Sequence, residues 1–565
     1  MDKKEKKSLG ESLVAEGILT KEQLAAACQQ EKNLGLRLRK VLVKMGFIDE
    51  DDLVSFLSEK LNILRIELGN YLIDPKIIEL VPEELARKHE LIPVLKIGNR
   101  LTCAMVDPWN IFALDEIRAK TNFIVEPAAA TESEIRKAID EHYGTLGTME
   151  DLIKTVPQDK FSALTEKEID IKKLQEMIQE PLVIKLVNLI IIKAVHENAS
   201  DVHIEPEEKI LKTKFRVDGL LHEVSSPPKH LQSAVISRIK VLADLDIAER
   251  RLPQDGRFQI KMEGREIDIR VSCMPTIYGE NVVLRLLDTA SALLSLEELG
   301  FSEKLLIEYR KLIDFPHGII LVTGPTGCGK TTTLYASLDK INAVEKNIIT
   351  IEDPVEYRLS GIRQTQVNTK VDLSFANGLR SILRQDPDII MVGEIRDFET
   401  AEIAIQAALT GHLVFSTLHT NDAAGAVTRL MDMGVEPYLA SSSIIGVLAQ
   451  RLARKICPDC KERYDPDAGA LKDIGLFEEK KEIKFYRGKG CVKCMNVGFK
   501  GRIGIFELLI PDEKIRNLAI AKFPHQKIKE QAIESGMITL RQSGIDKIKN
   551  GLTTIEEVLR LTRDA

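Results

Sequence analysis

The spacing of apolar residues at the start of the chain predicts two similar helical hairpins. A leucine, a glycine and a second leucine recur with the same spacing: Leu9, Gly17 and Leu24, then Leu38, Gly46 and Leu53. Each copy reads as an amphipathic helix, a glycine turn and a second helix that begins with Thr20 or with acidic residues. We therefore expect residues 1–62 to form a small all-α domain.

The pattern changes at about residue 63. Strand-like runs at 91–97 and 100–106 alternate with helical runs at 111–121 and 131–142, which indicates an α+β domain over residues 63–145.

The following segment, 146–175, is polar and without periodicity, so we interpret it as a linker. A second α+β domain is expected over 176–290, with alternating strands at 212–217, 257–262 and 266–271.

From residue 291 to residue 565, apolar strands alternate with helices, as in an α/β sheet domain that carries an insert at 457–494. The most apolar stretch, 181–195, contains charged residues and is shorter than a membrane span. Together these patterns predict a multidomain α/β protein.

Composition narrows the class of protein. The 565 residues carry a net charge of −7, 5% aromatic residues and one Trp, which argues against extensive nucleic-acid binding. The basic N-terminus is not followed by an apolar segment of a signal peptide, so we expect a soluble intracellular protein.

A nucleotide-binding loop follows the apolar run at 318–323. The sequence from residue 318 is GIILVTGPTGCGKTT, a strand that leads into G-x-x-x-x-G-K-T and then a helix. Small residues let backbone N–H groups surround phosphate, while the lysine reaches the β and γ phosphates and the first threonine holds Mg²⁺. The expected nucleotide-binding residues are Gly324, Pro325, Thr326, Gly327, Cys328, Gly329, Lys330, Thr331 (also for magnesium) and Thr332.

The apolar run at 388–392 ends in Gly393 and Glu394. After a P-loop, such a strand is the Walker B element, and its carboxylate binds Mg²⁺ through water or orients the attacking water. Because Gly393 replaces the usual Asp, we expect magnesium to depend more on Thr331, on water and on more distant acids.

Two further apolar runs end in polar residues. The run at 348–351 leads to Glu352, Asp353 and Glu356, whose mutual repulsion favours a nearby cation or proton. We interpret Glu352 as the residue that polarises the lytic water, with the other two in support. His419 follows a second apolar run, which ends near Thr417, at a position where α/β sheets bind ligands. We interpret it either as a sensor of the γ-phosphate or as a group that acts through another residue of the site.

These four elements, in this order, resemble the secretion ATPases of type II secretion and type IV pilus machines, especially the GspE/PilB branch. The Walker A, Asp box, atypical Walker B and His box of that superfamily match residues 324–331, 351–357, 389–396 and 417–422. The resemblance extends from about residue 181 to the C-terminus and, more weakly, over the N-terminal domains. It implies a RecA-like ATPase domain preceded by a PAS-like α+β domain, in a homohexamer.

The resemblance also implies that arginines of the domain before the P-loop complete the ATP site, where a guanidinium stabilises charge on the phosphoryl group. Arg270 and Arg285, on consecutive predicted strands, are the main candidates, and Arg216 and Arg257 are weaker ones. Ordinary salt bridges would explain any one of these arginines about equally well.

The cysteines are unevenly distributed. Two Cys-x-x-Cys pairs comprise Cys457, Cys460, Cys491 and Cys494, an arrangement that suits a closed, structural Zn²⁺ site, although the pairs lie farther apart than in common zinc ribbons. The superfamily has a similar tetracysteine insert in its assembly and secretion members.

The N-terminal repeat is similar to a module that binds cyclic di-GMP through paired Arg-Leu-Gly motifs. Here the copies read Ser8-Leu9-Gly10, without the arginine, and Arg37-Leu38-Arg39, without the glycine. We therefore expect a docking domain for membrane partners rather than a cyclic di-GMP receptor.

The resemblance leads us to expect a hexameric ATP-hydrolysing motor that powers type IV pilus assembly through an inner-membrane platform protein. Segment 81–143 favours this function over the alternative, a type II secretion ATPase. A nucleic-acid translocase is disfavoured by the acidic charge and the few aromatic residues. The expected location is cytoplasmic, with attachment to the inner membrane through partners.

Overall fold

The computed structural model describes residues 9–34, 38–61, 63–108, 110–143, 180–288, 294–341, 345–478 and 483–563. The chain divides into two compact units, Met1–Thr289 and Ala290–Ala565. The predicted linker at 146–175 lies outside the described residues, as do Ser8 and Arg37.

The N-terminal repeat folds into helix pairs, as its spacing predicts. The helices are α1 (Leu9–Ala15), α2 (Lys21–Leu34), α3 (Leu38–Lys44) and α4 (Glu50–Leu61). Thr20 begins α2 in a reciprocal cap: its Oγ1 accepts from the Gln23 N–H at 3.1 Å, and Gln23 Oε1 accepts from the Thr20 N–H at 2.8 Å. Leu13, Leu42 and Leu53 are buried in one core that the two copies share.

The next part of the first unit is an α+β fold. Its elements are α5 (Pro75–Ile78), α6 (Glu83–His89), β1 (Leu91–Ile97), β2 (Arg100–Met105), α7 (Ile111–Thr121), β3 (Ile124–Ala129) and α8 (Glu132–Tyr143). Within the described range 63–143, the sheet has the order β1-β2-β3, antiparallel and then parallel. The predicted strands and helices of this region are confirmed to within a residue.

An antiparallel sheet completes the first unit. Its elements are α9 (Pro181–His196), β4 (Asp201–Pro206), β5 (Leu211–Val217), β6 (Leu220–Val224), α10 (Gln232–Leu242), β7 (Gln254–Met262), β8 (Arg265–Thr276) and β9 (Gly279–Asp288). Among the described residues its strand order is β6-β5-β4-β9-β8-β7. Alternate residues such as Phe215, Ile269 and Leu284 are buried in one core with α9 and α10. That packing explains why residues 181–195 are so apolar.

The second unit is an α/β fold that begins with α11 (Glu303–Ile313). Its first half then contains β10 (Gly318–Thr323), α12 (Lys330–Lys340), β11 (Ile348–Glu352), β12 (Arg363–Gln366), α13 (Phe375–Ile382), β13 (Ile389–Val392), α14 (Phe398–Leu409) and β14 (Leu413–Leu418). Its second half contains α15 (Ala423–Asp432), α16 (Pro437–Ser443), β15 (Ile444–Ile456), β16 (Lys461–Arg463), α17 (Ala468–Ile474), β17 (Tyr486–Gly488), β18 (Phe499–Leu509), α18 (Glu513–Ile520), α19 (His525–Glu534), α20 (Leu540–Lys549) and α21 (Ile555–Leu561).

The central sheet of this unit has the order β12-β11-β13-β14-β10-β15-β18 in the part of the chain that the structure describes. Neighbouring strands are parallel except β15 and β18. Helices bury both faces, as parallel sheets require. The carboxyl ends of β10, β11, β13 and β14 therefore meet at one edge, where the predicted nucleotide-binding motifs lie.

Candidate active site

The phosphate-binding loop connects β10 to α12 and rests on the neighbouring strand β15. A Cβ atom on Gly324 would lie 2.5 Å from the Gln450 carbonyl oxygen, and one on Gly329 would lie 2.9 Å from Gln450 Nε2. Both glycines also have positive φ, 148° and 90°. Backbone conformation therefore favours glycine at both positions, and the Gln450 backbone adds a steric requirement at Gly324.

Within this loop, side chains divide between exposed and buried positions. Pro325, Thr326 and Gly327 are exposed at the tip, whereas Thr331 and Thr332 are half-buried at the start of α12. Cys328 is turned inward, and burial raises the pKa of its thiol. Its contribution to a bound nucleotide is therefore limited to its backbone.

Lys330 folds its amine back over the same loop. Its Nζ donates to the carbonyl oxygens of Gly324 at 2.8 Å and Pro325 at 3.3 Å. Burial lowers the pKa of this amine, because a charge removed from water loses hydration. A phosphate bound in the loop would offer the amine a charged partner, so this position suits the predicted role.

Glu394 and His419 meet at the carboxyl edge of the sheet, just after the adjacent strands β13 and β14. His419 Nε2 lies 3.3 Å from Glu394 Oε2, and Arg396 pairs with Glu394 Oε1 at 2.6 Å. The Glu394 side chain is 13% exposed, and that of His419 is 49% exposed. The structure thus joins the predicted Walker B acid and the predicted phosphate sensor in one hydrogen-bonded group.

The unusual Gly393 of this Walker B segment has a steric explanation. A Cβ atom there would lie 3.3 Å from both Glu352 Cα and the Ile351 carbonyl oxygen, on the neighbouring strand β11. The Gly393 N–H also donates to that carbonyl at 2.8 Å. An aspartate at this position would press on the backbone of β11, which must then shift by a few tenths of an ångström.

Glu352 occupies a different environment from the one that we expected. Its carboxylate is buried and accepts hydrogen bonds from Tyr335 Oη, from Thr350 Oγ1 at 2.5 Å and from Gln364 Nε2 at 3.2 Å. Burial raises its pKa above the ordinary range, although these donors oppose the shift. A carboxylate enclosed by three donors is not positioned to polarise water without a rearrangement.

Sequence reasoning missed the groups that surround these acids. Tyr335 and Gln364 enclose Glu352, and nothing in the local sequence of either residue indicates that contact.

Sequence reasoning also missed Arg451 on β15. This arginine is buried and donates to Asn421 O at 3.0 Å and Oδ1 at 3.2 Å. Burial lowers the pKa of its guanidinium. An arginine within an apolar strand was the available signal, since buried charges are rare.

The arginines that we selected from the sequence lie on the antiparallel sheet of the first unit, all in one row. Each of five neighbouring strands contributes one residue to this row, and each residue lies directly opposite the next. In order across β7, β8, β9, β4 and β5, they are Arg257, Arg270, Arg285, Asp201 and Arg216. Arg285 Nε lies 2.9 Å from Asp201 Oδ1, and Arg216 Nε lies 3.6 Å from Oδ2. Directly opposed like charges destabilise a sheet, and here Asp201 and Asp268, whose Oδ2 lies 3.9 Å from Arg270 Nε, partly compensate them.

Comparison with known proteins agrees with the site's geometry. A family model described as "Type II/IV secretion system protein" matches residues 176–560, and a model described as "MshEN domain" matches residues 61–149. The chain belongs to the type II/IV secretion system ATPase family. It is accordingly an ATPase, which implies ATP and Mg²⁺ at the P-loop.

Similar proteins come from both branches of this family. "Type IV pilus assembly ATPase PilB" of Myxococcus xanthus is 46% identical over 98% of each chain. "Type II secretion system ATPase E" of Vibrio cholerae is 52% identical over 72% of this chain and 80% of its own. "Type II secretion system protein E" of Xanthomonas campestris is 44% identical over 98% of each chain.

A solved structure, the Legionella pneumophila ATPase DotB, covers 67% of this chain and 96% of its own with a TM-score of 0.51. At 20% identity, that similarity establishes the fold. Among the residues that the structure describes, no helix is long and apolar enough to cross a membrane.

The insert of this family member brings the four predicted cysteines together. Sγ–Sγ distances are 3.9 Å for Cys457–Cys491, 3.8 Å for Cys460–Cys494 and 3.7 Å for Cys491–Cys494. A tetrahedral Zn²⁺ with Zn–S bonds of about 2.3 Å places its sulfur ligands about 3.8 Å apart. The N–H groups of Gly490 and Gly498 donate to Cys460 Sγ and Cys494 Sγ, both at 3.3 Å, as expected around thiolate ligands. The donor set therefore fits zinc.

Proposed function

We propose that this protein is a hexameric ATP-hydrolysing motor that powers type IV pilus assembly through an inner-membrane platform protein. In this proposal it lies on the cytoplasmic face and is attached to the membrane by its partners. The observation that carries the proposal is the 46% identity to a pilus assembly ATPase over 98% of both chains. A type II secretion ATPase is the second candidate, favoured by a relative that aligns over the same share of both chains.

In the proposed mechanism, the loop at 324–332 surrounds the phosphates of ATP and Lys330 binds the β and γ phosphates. Thr331 would hold Mg²⁺, which neutralises phosphate charge. Glu394 orients the attacking water, and His419 holds the Glu394 carboxylate in place through their 3.3 Å contact. Glu352 is proposed as a second acid, a role that requires it to exchange one of its donors for water.

The proposal also places arginines of one subunit at the ATP of the next. The single row that contains Arg270 and Arg285 supports this role, because aligned guanidinium groups suit a polyphosphate. A mixing experiment tests it. We expect Lys330→Ala and Arg285→Ala to be inactive separately, and activity to return when they are mixed, since some interfaces then combine an intact loop with an intact arginine.

Gel filtration of the same samples with ATP should give a species of about six chains. Arg265→Ala, on the same sheet but outside the row, should keep its activity and its mass. A mixture that stays inactive, or a protein that stays monomeric with full activity, would overturn the ring model.

Complementation separates the two cellular functions. We expect the gene to restore pili to a Myxococcus xanthus strain that lacks its pilus assembly ATPase, and not to restore secretion to a Vibrio cholerae strain that lacks its type II ATPase. The opposite outcome would favour the secretion candidate. Stimulation of ATPase activity by single-stranded DNA would instead support a nucleic-acid translocase, and we expect none.

We also propose structural Zn²⁺ at the four cysteines. Substitution by Co²⁺ should produce thiolate charge-transfer absorption that Cys457→Ser weakens.

For the N-terminal helices we propose a docking role, with cyclic di-GMP as the less expected ligand. Titration with cyclic di-GMP should therefore show no saturable binding.

A further inference from the structure

Three potential metal ligands converge within the first unit, far along the chain from the P-loop and the cysteines. His196 Nε2 lies 3.1 Å from Glu263 Oε1 and 3.6 Å from Asp74 Oδ2. The three ligand atoms all lie within 4.8 Å of one another. We propose that Asp74, His196 and Glu263 form a binding site for a divalent transition metal, with Zn²⁺ as the best fit.

The two distances from His196 are compatible with ligands around a zinc ion. Bonds of about 2.0 to 2.2 Å to nitrogen and carboxylate oxygen place tetrahedral ligands about 3.4 Å apart. The two distances from His196 lie on either side of that value. The 3.6 Å separation from Asp74 is also too long for a direct hydrogen bond, whereas a shared ion would satisfy both atoms.

Each carboxylate already uses its second oxygen to fix its orientation. Asp74 Oδ1 accepts from the Lys76 N–H at 2.9 Å, and Glu263 Oε2 accepts from Arg265 Nη2 at 3.1 Å. The oxygen left over in each case is the one that faces His196. Outer hydrogen bonds of this kind orient the ligands of metal sites in proteins.

The backbone around the site is also held in place. The Leu72 N–H donates to the Lys261 carbonyl at 2.8 Å, and Leu72 is buried in the core of the antiparallel sheet. This contact lies two residues from Asp74 and two from Glu263. The site therefore joins the region matched by the MshEN model to the region matched by the secretion family model.

One side of the site is open. The Asp74 side chain is 11% exposed, but that of His196 is 32% exposed, which leaves room for metal entry and for water as a further ligand. The charges also agree, because two carboxylates and a neutral imidazole compensate a divalent cation.

Equilibrium dialysis of the full chain against micromolar Zn²⁺ tests the site, with bound metal measured by elemental analysis. We expect Asp74→Asn and His196→Gln each to retain one zinc ion per chain fewer than the natural protein. Asn keeps the cap on α5, since it accepts the same backbone hydrogen bond, and Glu266→Gln on the same hairpin should keep all of the zinc. Cys457→Ser should lose a different zinc ion, so its loss should add to that of His196→Gln.

Thermal unfolding gives a second readout. Zn²⁺ should raise the Tm of the natural protein and of Cys457→Ser by more than it raises that of His196→Gln. Equal zinc content and equal zinc-induced shifts in the natural protein, Asp74→Asn and His196→Gln would overturn the proposal. Those results would leave the three residues as a polar cluster without a metal.

Discussion

Two neighbouring strands of the second unit lead to a glutamate, one at the end of its strand and one two residues beyond, and the two side chains have different environments. Glu394 after β13 is partly exposed and lies against the cationic Arg396 and the imidazole of His419. Glu352 at the end of β11 is 3% exposed and contacts neutral donors from a tyrosine, a threonine and a glutamine. Burial raises the pKa of the Glu352 carboxyl group above its ordinary value, because a charge that is removed from water loses hydration.

This difference teaches that an apolar strand followed by an acid defines a place in the fold but not the surroundings of the acid's side chain. Glu394 is partly accessible from solvent and contacts two cationic or titratable side chains at the sheet edge. Glu352 is suited to hold the P-loop helix, β11 and β12 together through Tyr335 and Gln364. The following predictions test that contrast.

The largest effect is expected for Glu394→Gln. Removal of a general base or water-orienting carboxylate should lower kcat by about 100- to 1,000-fold, with little change in KM because ATP is bound mainly by the P-loop. Steady-state ATPase assays measure this effect, and Glu402→Gln, on the exposed side of α14, is the matched control. Unchanged activity in Glu394→Gln would refute the role of this acid.

A smaller loss, about 10-fold, is expected for His419→Gln, because the histidine acts through the carboxylate that it positions. The informative measurement is a double-mutant cycle with Glu394→Gln. If His419 acts through Glu394, the double variant should be no slower than Glu394→Gln alone. Fully multiplicative losses would instead indicate that His419 acts on the phosphate by itself.

Glu352→Gln should change how stability depends on pH. Because the pKa of Glu352 is raised in the folded state, its favourable contribution is complete below the unfolded pKa of about 4.3 and is lost as pH rises through the folded pKa. The glutamine variant does not titrate, so its free energy of unfolding relative to that of the natural protein should be higher at pH 8 than at pH 5.

Urea unfolding at the two pH values measures that difference, and parallel curves would contradict the raised pKa. The same variant tests the proposed catalytic role of Glu352, which requires a loss of activity on the scale of Glu394→Gln.

The smallest effect is expected for Tyr335→Phe. Loss of one hydrogen bond to the buried Glu352 should lower the free energy of unfolding by about 1 kcal/mol and raise the pKa of Glu352 further. Tyr438→Phe, at an exposed position, is the control and should be neutral. A neutral Tyr335→Phe would mean that the buried carboxyl group does not depend on this donor.

Much of the fold could be predicted because helices, turns and strands depend on nearby residues. The helices begin where capping residues such as Thr20 predict them, and the strand at 91–97 and the helix at 111–121 have the predicted bounds. The P-loop could be recognised for the same reason, since its strand, glycines and lysine lie within fifteen consecutive positions. The partners of Glu352 could not, because Tyr335 and Gln364 reach it from separate elements.

By itself, the sequence determined the α/β class, the nucleotide-binding loop, the order of acids along the sheet edge and the grouping of the cysteines. Tertiary structure alone decided that Glu352 is buried while Glu394 is partly exposed. It also decided that the arginines share one row with Asp201, and that Asp74 meets His196 and Glu263. The physical reason is the distance along the chain between the residues that interact. Local motifs follow from backbone geometry over a few residues, whereas burial, register and charge pairing depend on which distant segments pack together.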